Sequence, residues 1–481
     1  MRLSHIVRSF PFRIFLVALV LRLIPVVAMR QMGIGLDDMF QYDMLARSIV
    51  AGDGYRWYAQ DDLYLVQRYF EVDMAGVNYD PRGVPTSFRP PLYPAFLALI
   101  YFLTGVDDNR FFTARLVQAF VGALLAPLTY VLARRFFPGN GKAARIAAWV
   151  VAAYPLLIIY PLSLATENLF FLLVLSSTLM LLIAAETRRT FHFIVAGLLL
   201  GLMALTRSVS LAFGGLAVLW TWFALKERRK AVLIFGMVSL TVLPWMVRNS
   251  LLHGRPTGVE SALGYDLYVG YHPESTGTFQ YGISLDLMTM LDDGLRDEIG
   301  QEKAIGFIKD DPGRIPYLMV RRAGYFFGLE RRALTYFYTN DYFGYIPTPL
   351  LLAIAAVVLL PFVLVSTSAA FGLALTRWRG ETWLLALFML GYVTPHLLIL
   401  GEDRFHLTLV PFLSILAAHT WTLSLPAVKA RWSTPGGRLA LILAGIAVLL
   451  LLTNWGLELY RDADKLQLLL GPNGNQSYFS Y

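Results

Sequence analysis

The chain has no cysteine and little charge: charged residues make up only 15% of its 481 positions. The first absence excludes disulfides, thiolate metal sites and a thiol nucleophile, and is compatible with an oxidising outer compartment. The second sets the chain apart from a soluble domain, in which about a quarter of residues are charged. Metal-type histidine pairs are missing too. The seven histidines are dispersed without an HExxH or comparable pair, and His396 and His406 flank one turn without ligand spacing. No Gly-rich dinucleotide motif between strand and helix occurs, and Gly139-Asn-Gly141-Lys142 lacks the remaining positions of a P-loop. No tandem repeat or low-complexity tract stands out.

What is present is apolar. Hydrophobic residues make up 57% and aromatics 14%, and the apolar runs are repeatedly long enough to cross a hydrocarbon layer of about 30 Å. The expected fold is an all-α polytopic membrane protein. Its first span covers Pro11–Met29, and later ones lie at 111–134, 145–163, 167–185, 191–206, 209–225, 231–247, 349–375, 382–400, 404–424 and 439–457. This gives about 11 spans. Residues 91–104 are only about 14 positions long, below the usual 17–25, and are expected to lie in the membrane plane.

The net charge of +8 follows topology better than nucleic-acid binding, because the basic residues are scattered between spans. Arg2, Arg8 and Arg13 flank the first span without an acid, which orients the amino end to the cytoplasm. No small-residue cleavage site follows, so this span is expected to be an anchor. The inner connections then contain only Glu186, Glu227 and Glu381, and chemistry that needs carboxylates belongs outside. The organisation is a first span (1–29), an outer loop (30–110), a membrane block (111–247), a large outer loop (248–348), a second membrane block (349–457) and an outer tail (458–481). Asn475-Gln-Ser477 matches a glycosylation acceptor, which matters only in a eukaryotic secretory setting.

In the first outer loop, Met39, Tyr42, Leu45, Ala46 and Ile49 recur at helical spacing and Gly52 and Gly54 end the run, predicting an interfacial helix that opens at Asp37-Asp38. The second loop is Gly-rich over 254–284 and helically patterned near 285–309 and 313–328. Asp37 or Asp38 can cap the first helix, with Gln41 completing a capping box, or the roles divide, with Asp38 capping while Asp37 reacts. Arg22 lies inside the first span, where burial demands a partner, either a carboxylate or a phosphate.

The order of these features resembles the GT-C membrane glycosyltransferases, in particular the branch of protein O-mannosyltransferases and the lipid A aminoarabinose transferase. The motifs are the paired acids, Tyr42, Ala46, the Gly52–Gly54 turn, Arg89-Pro-Pro-Leu-Tyr-Pro and Arg115-Leu. Leu205-Thr-Arg207, Pro244-Trp-Met-Val-Arg248-Asn249, Gly264-Tyr-Asp-Leu-Tyr-Val-Gly270 and Glu402-Asp-Arg404 through Pro411 continue the likeness over nearly the whole chain. The resemblance implies transfer of a sugar from a polyprenyl-phosphate donor, held in the lipid bilayer, to a glycan, lipid or protein acceptor. The expected setting is the outer face of a bacterial cytoplasmic membrane.

Carried over to this sequence, the resemblance makes Asp37 the general base, beside Asp38, in a single inverting displacement. Arg89 and Arg404 are expected to hold the donor phosphate, since a guanidinium fork suits phosphate oxygens, with Arg207 and Arg248 as further members of the cluster. For each arginine, anchoring to headgroups is the competing reading. Glu167 and Glu402 are candidate supporting acids, Glu167 being equally suited to open its span. Tyr42, Tyr55 and Tyr93 are candidate sugar or acceptor contacts. For Tyr55, Trp57 and Tyr58 interface anchoring serves as well. No cofactor is expected and no metal ligand is assigned; a divalent ion is the secondary expectation. The alternative functions are a transporter or flippase of lipid-linked sugars, expected to show broken spans with ionisable residues at the bilayer centre, and a non-catalytic scaffold.

Overall fold

The computed structural model describes residues 8–107, 109–331 and 346–471. Arg2, part of the second outer loop and Asn475-Gln-Ser477 lie outside the described residues. The chain is almost wholly helical, and a two-stranded ribbon is the one sheet among the described residues.

Six helices are long and apolar enough to cross a membrane: Phe10–Ala28, Arg110–Phe136, Glu167–Thr187, Arg228–His253, Thr348–Leu375 and Pro435–Arg461. Two bent pairs raise this to eight, short of the eleven expected. Gly141–Ala153 meets Pro155–Leu162 at 54°, and Asp403–Thr422 meets Leu425–Trp432 at 101°. The expected spans at 191–206 and 209–225 are the helices Thr190–Ala204, of 15 residues, and Leu211–Phe223, of 13. At 1.5 Å per residue such helices reach only about 20 Å, less than the hydrocarbon thickness. The segment expected at 382–400 is the helix Gly380–Leu398.

The 54° break answers the question posed by Arg22. Pro155 lacks an N–H and ends the preceding helix, leaving its last carbonyls unpaired. The wholly buried Arg22 donates Nη1 to Ala152 O at 3.2 Å and Nη2 to Val151 O at 3.2 Å. Among the described residues its partners are backbone carbonyls, not a carboxylate. A cation on the negative end of a broken helix is favourable, and more so where water is excluded.

Beyond the bundle, the two long loops, 30–110 and the described part of 248–348, pack into one cap. The helix Asp38–Ala51 forms over the predicted run and ends on Gly52 in the left-handed region, buried on every side from Met39 to Ala46. It buries Tyr42 and Ala46 against Tyr93, Leu97 and Tyr101 of the helix Leu92–Thr104. Asp43 on this helix accepts from Tyr101 and Arg110 of neighbouring helices, and from Arg47 one turn further on, which ties the helix to them. The chain then makes an antiparallel ribbon, Arg56–Trp57 with Val84–Pro85. Gly83 turns into this ribbon at φ +101°, and a Cβ there would lie 2.4 Å from Trp57 O, so only glycine fits.

The second loop contributes helices Leu263–Tyr271, Tyr281–Met288, Asp293–Asp310 and Arg314–Phe326. Asp293 locks it to the first loop. Its Oδ2 accepts from Thr86 Oγ1 at 2.9 Å, Ser87 N at 2.7 Å and Ser261 Oγ at 2.8 Å. A parallel bridge between Asp73 and Met290 adds a second tie. The apolar filling between the loops includes Trp57, Phe88, Tyr265 and Leu287.

Candidate active site

Where the helix Asp38–Ala51 begins, the chain must satisfy the free N–H groups of the first turn. Asp37 does this: its Oδ1 accepts from Met39 N at 2.9 Å. The adjacent Asp38 points its carboxylate the other way. Arg89 pairs with Oδ1, and Arg404 lies 3.5 Å from Oδ2. Of the alternatives that the sequence leaves open, Asp37 is the cap, and the division in which Asp38 caps is not the one found. Asp37 keeps its second oxygen free of the cap and faces solvent.

Arg89 is held from several sides. Its Nε donates to Gln41 Oε1 at 2.8 Å, and its guanidinium lies over Tyr42 and Phe88. Its backbone carbonyl accepts from Tyr55 Oη at 2.9 Å. Arg404 sits on a 3-10 helix, Asp403–Leu409, and pairs through Nε with Glu402 Oε2 at 2.6 Å. Arg207 pairs with Glu167 Oε1 at 2.7 Å and lies 5.1 Å over Phe405, beside Arg404. Asp38, Arg89, Arg404, Glu402, Arg207 and Glu167 thus form two adjoining acid–base groups at one end of the bundle.

The remaining candidates lie elsewhere in this assembly. Arg248 donates to the carbonyls of Thr86 and Tyr55 and lies over Trp245, bracing the first loop behind the site. Tyr42 is buried edge-on to Tyr93 and under Arg89. Tyr55 and Tyr93 are buried with hydroxyls already engaged, Tyr93 Oη donating to Gln118 Oε1 at 2.6 Å. They shape the wall and hold the Arg89 segment.

The acids of this region differ in proton affinity. Although Asp37 reaches solvent, surrounding protein desolvates its carboxylate and the neighbouring Asp38 charge opposes ionisation; together these raise its pKa. For Asp38, desolvation pushes upward, but Arg89, Arg404 and Arg207 overcome it and bring the pKa down to about 2. Two acids not singled out from sequence join them. Desolvation and then the charge of Glu260 push Asp266, on the helix Leu263–Tyr271, up to about 7. Desolvation also raises Glu260, which accepts from Ser208 Oγ. Both lie in an aperiodic Gly-rich run, where no spacing marks them; Asp266 falls inside the motif quoted above.

For a metal, the structure brings one ligand atom each of His253, Asp292 and Asp293 within 4.8 Å of one another. These atoms already serve the cap: Asp292 accepts from Leu295 N at 3.0 Å, His253 Nε2 lies 2.7 Å from Ser87 Oγ, and Asp293 takes the three donors named above. The grouping acts as a lock between loops.

Residues 88–247 match the family described as dolichyl-phosphate-mannose-protein mannosyltransferase. The match covers about a third of the chain, the segment that carries Arg89, Glu167 and Arg207, and its family is one of GT-C membrane glycosyltransferases, the class that the motifs of the chain resemble. None of the curated proteins matches it in sequence. Among solved structures, it is similar to the Archaeoglobus fulgidus oligosaccharyltransferase complexed with Zn and sulfate, at 16% identity and TM-score 0.49 over 98% of this chain and 59% of that one. Archaeal AglB from the same organism, with an inhibitory peptide and a dolichol-phosphate, gives 16%, 0.47, 98% and 61%. ArnT from Cupriavidus metallidurans bound to undecaprenyl phosphate gives 14%, 0.39, 88% and 80%. The chain therefore spans about three fifths of the archaeal proteins' length.

Proposed function

We propose that this protein transfers a sugar from a polyprenyl-phosphate donor to a hydroxyl acceptor at the outer face of a bacterial cytoplasmic membrane. The observation that carries this reading is the Asp38 carboxylate bridged by Arg89 and Arg404, with the free oxygen of Asp37 one residue away. Two guanidiniums at lipid depth suit a phosphate whose isoprenoid tail stays in the bilayer. The adjacent carboxylate of raised pKa suits proton removal near neutral pH.

In the proposed step the acceptor oxygen attacks the anomeric carbon from the face opposite the phosphate. Its proton passes to Asp37, and the bond electrons of the breaking C–O bond leave with the polyprenyl phosphate, held by Arg89 and Arg404. The configuration inverts, and no metal or cofactor takes part. Glu167 keeps Arg207 oriented beside Arg404, and Glu402 does the same for Arg404 itself. Outer loops 30–110 and 248–348 enclose the acceptor.

The second reading, a flippase of lipid-linked sugars, draws on the two bent helix pairs. One experiment separates them. Purified protein in lipid nanodiscs is given a panel of polyprenyl-phosphate sugars with candidate acceptors and water, beside Asp37→Asn. Release of free polyprenyl phosphate by the parent and its loss in the variant support transfer. Absence of release, with flipping in liposomes that Asp37→Asn leaves intact, supports the flippase.

A further inference from the structure

A second arginine, Arg296, lies over the same Phe88 ring as Arg89, and no carboxylate among the described residues forms an ion pair with it; Asp293 acts on it only from a distance. Arg296 is 2% exposed, and its guanidinium carbon lies 4.2 Å from the Phe88 centroid and 5.5 Å from the Trp57 ring. The Arg89 guanidinium is over the same Phe88 ring at 5.0 Å. Only Nη1 of Arg296 is engaged, donating to Met290 O at 3.0 Å. Nε and Nη2 have no hydrogen-bond partner, and these two form the edge of the guanidinium that grips paired oxygens. Trp57, also 2% exposed and 5.4 Å from Phe88, has an unpartnered indole Nε1. Asp293, one helical turn before Arg296, is occupied by Thr86, Ser87 and Ser261.

A buried charge without a directly paired carboxylate costs several kcal/mol, and aromatic faces together with the field of Asp293, whose carboxylate is engaged elsewhere, offset only part of that. Water is a poor solution here, because it brings two protons of its own to a place where the free protein groups are donors. We propose that the cap holds an oxyanion between its two loops, seated on the Nε–Nη2 edge of Arg296 and the Nε1 of Trp57. Its class is a phosphate or carboxylate, supplied free or as a headgroup. Trp57 comes from the first loop and Arg296 from the second, so the anion ties one to the other. It also relieves the repulsion that Arg296 exerts on Arg89 through Phe88. The site is separate from the Asp38–Arg404 group and does not rest on the proposed transfer.

The test is hydrogen–deuterium exchange of the segments containing Trp57 and Arg296, in phosphatidylcholine nanodiscs, with inorganic phosphate titrated against chloride at constant ionic strength. Arg89→Ala serves as the background, so that phosphate at the candidate active site does not contribute. The expected result is saturable slowing of exchange in both segments. Trp57→Phe shifts half-saturation about tenfold higher, as loss of one hydrogen bond to an ion requires. Arg296→Met, which keeps the stem volume, abolishes the response. A phosphate-free arm in phosphatidylglycerol nanodiscs identifies the source: slowing there, again lost in Arg296→Met, assigns the oxyanion to a headgroup. Unchanged exchange in both arms, or the same response in a folded Arg296→Met protein, overturns the proposal and leaves water as the partner of these donors.

Discussion

Asp38 stands between two guanidiniums drawn from opposite ends of the sequence, Arg89 at one carboxylate oxygen and Arg404 at 3.5 Å from the other. The carboxylate therefore occupies the arginine edges that a donor phosphate would need, and it must yield them when a phosphate arrives. An internal anion of this kind preorganises the two cations while weakening product retention.

Replacing Asp38 by Asn separates these effects. Polyprenyl phosphate is expected to bind about tenfold tighter, since its charged competitor is gone. Turnover falls by roughly a hundredfold because the arginines lose their fixed geometry and product leaves slowly. Titration of polyprenyl phosphate alongside single-turnover release measures both. Equal binding in parent and variant would show that the bridge does not compete with the donor.

The pH profile reports Asp37. As a base it acts only when ionised, and its pKa is raised by desolvation and by Asp38. Activity therefore increases with pH, and the acid limb of kcat/KM lies above the ordinary aspartate value of about 3.9. Asp37→Glu retains an acid limb at lower rate. Asp37→Asn loses about 10² to 10⁴ in rate, and an unshifted limb in that variant assigns the base elsewhere.

Asp266 affects stability in the opposite sense from Asp38. Its folded-state pKa of about 7 exceeds the unfolded value, so the folded protein holds the extra proton between about 4 and 7. Stability then declines as pH rises through that window. Asp266→Asn removes this slope, which unfolding midpoints at pH 5 and pH 8 detect. Asp38, with a folded pKa of about 2, contributes stability above its unfolded value that is lost as pH falls toward 2.

Arg22 is expected to matter for folding. Arg22→Met leaves the carbonyls of Val151 and Ala152 without their donor at the helix break, costing about 1–3 kcal/mol. Thermal unfolding in detergent measures the loss. Activity per folded molecule stays at the parent level.

The helix Asp38–Ala51 was readable because its period and its glycine stop are local properties. The choice between Asp37 and Asp38 was not, since both sequences of events start from the same two adjacent acids, and only the direction of each carboxylate decides. The excess of expected spans has a similar origin. Composition reports apolar length, whereas the helices that form, such as Thr190–Ala204 and Leu211–Phe223, are shorter than the apolar runs that contain them. Arg22 demanded a partner, but backbone carbonyls leave no trace in residue type. Glu260 and Asp266 acquire their raised proton affinity from burial as the second loop packs, against the opposing pull of Arg89, and no periodicity encodes that burial.

The bridge at Asp38 also sets an order of assembly. Arg89 leaves the ribosome early, whereas Arg404 follows only after most of the membrane helices, so the acid faces a single guanidinium for most of synthesis. The candidate centre is thus completed late, with only the helices from Val410 onward still to follow. A nascent chain released before residue 404 would be inserted in the bilayer yet inert, and two co-expressed fragments divided within the second outer loop would regain a working centre upon docking.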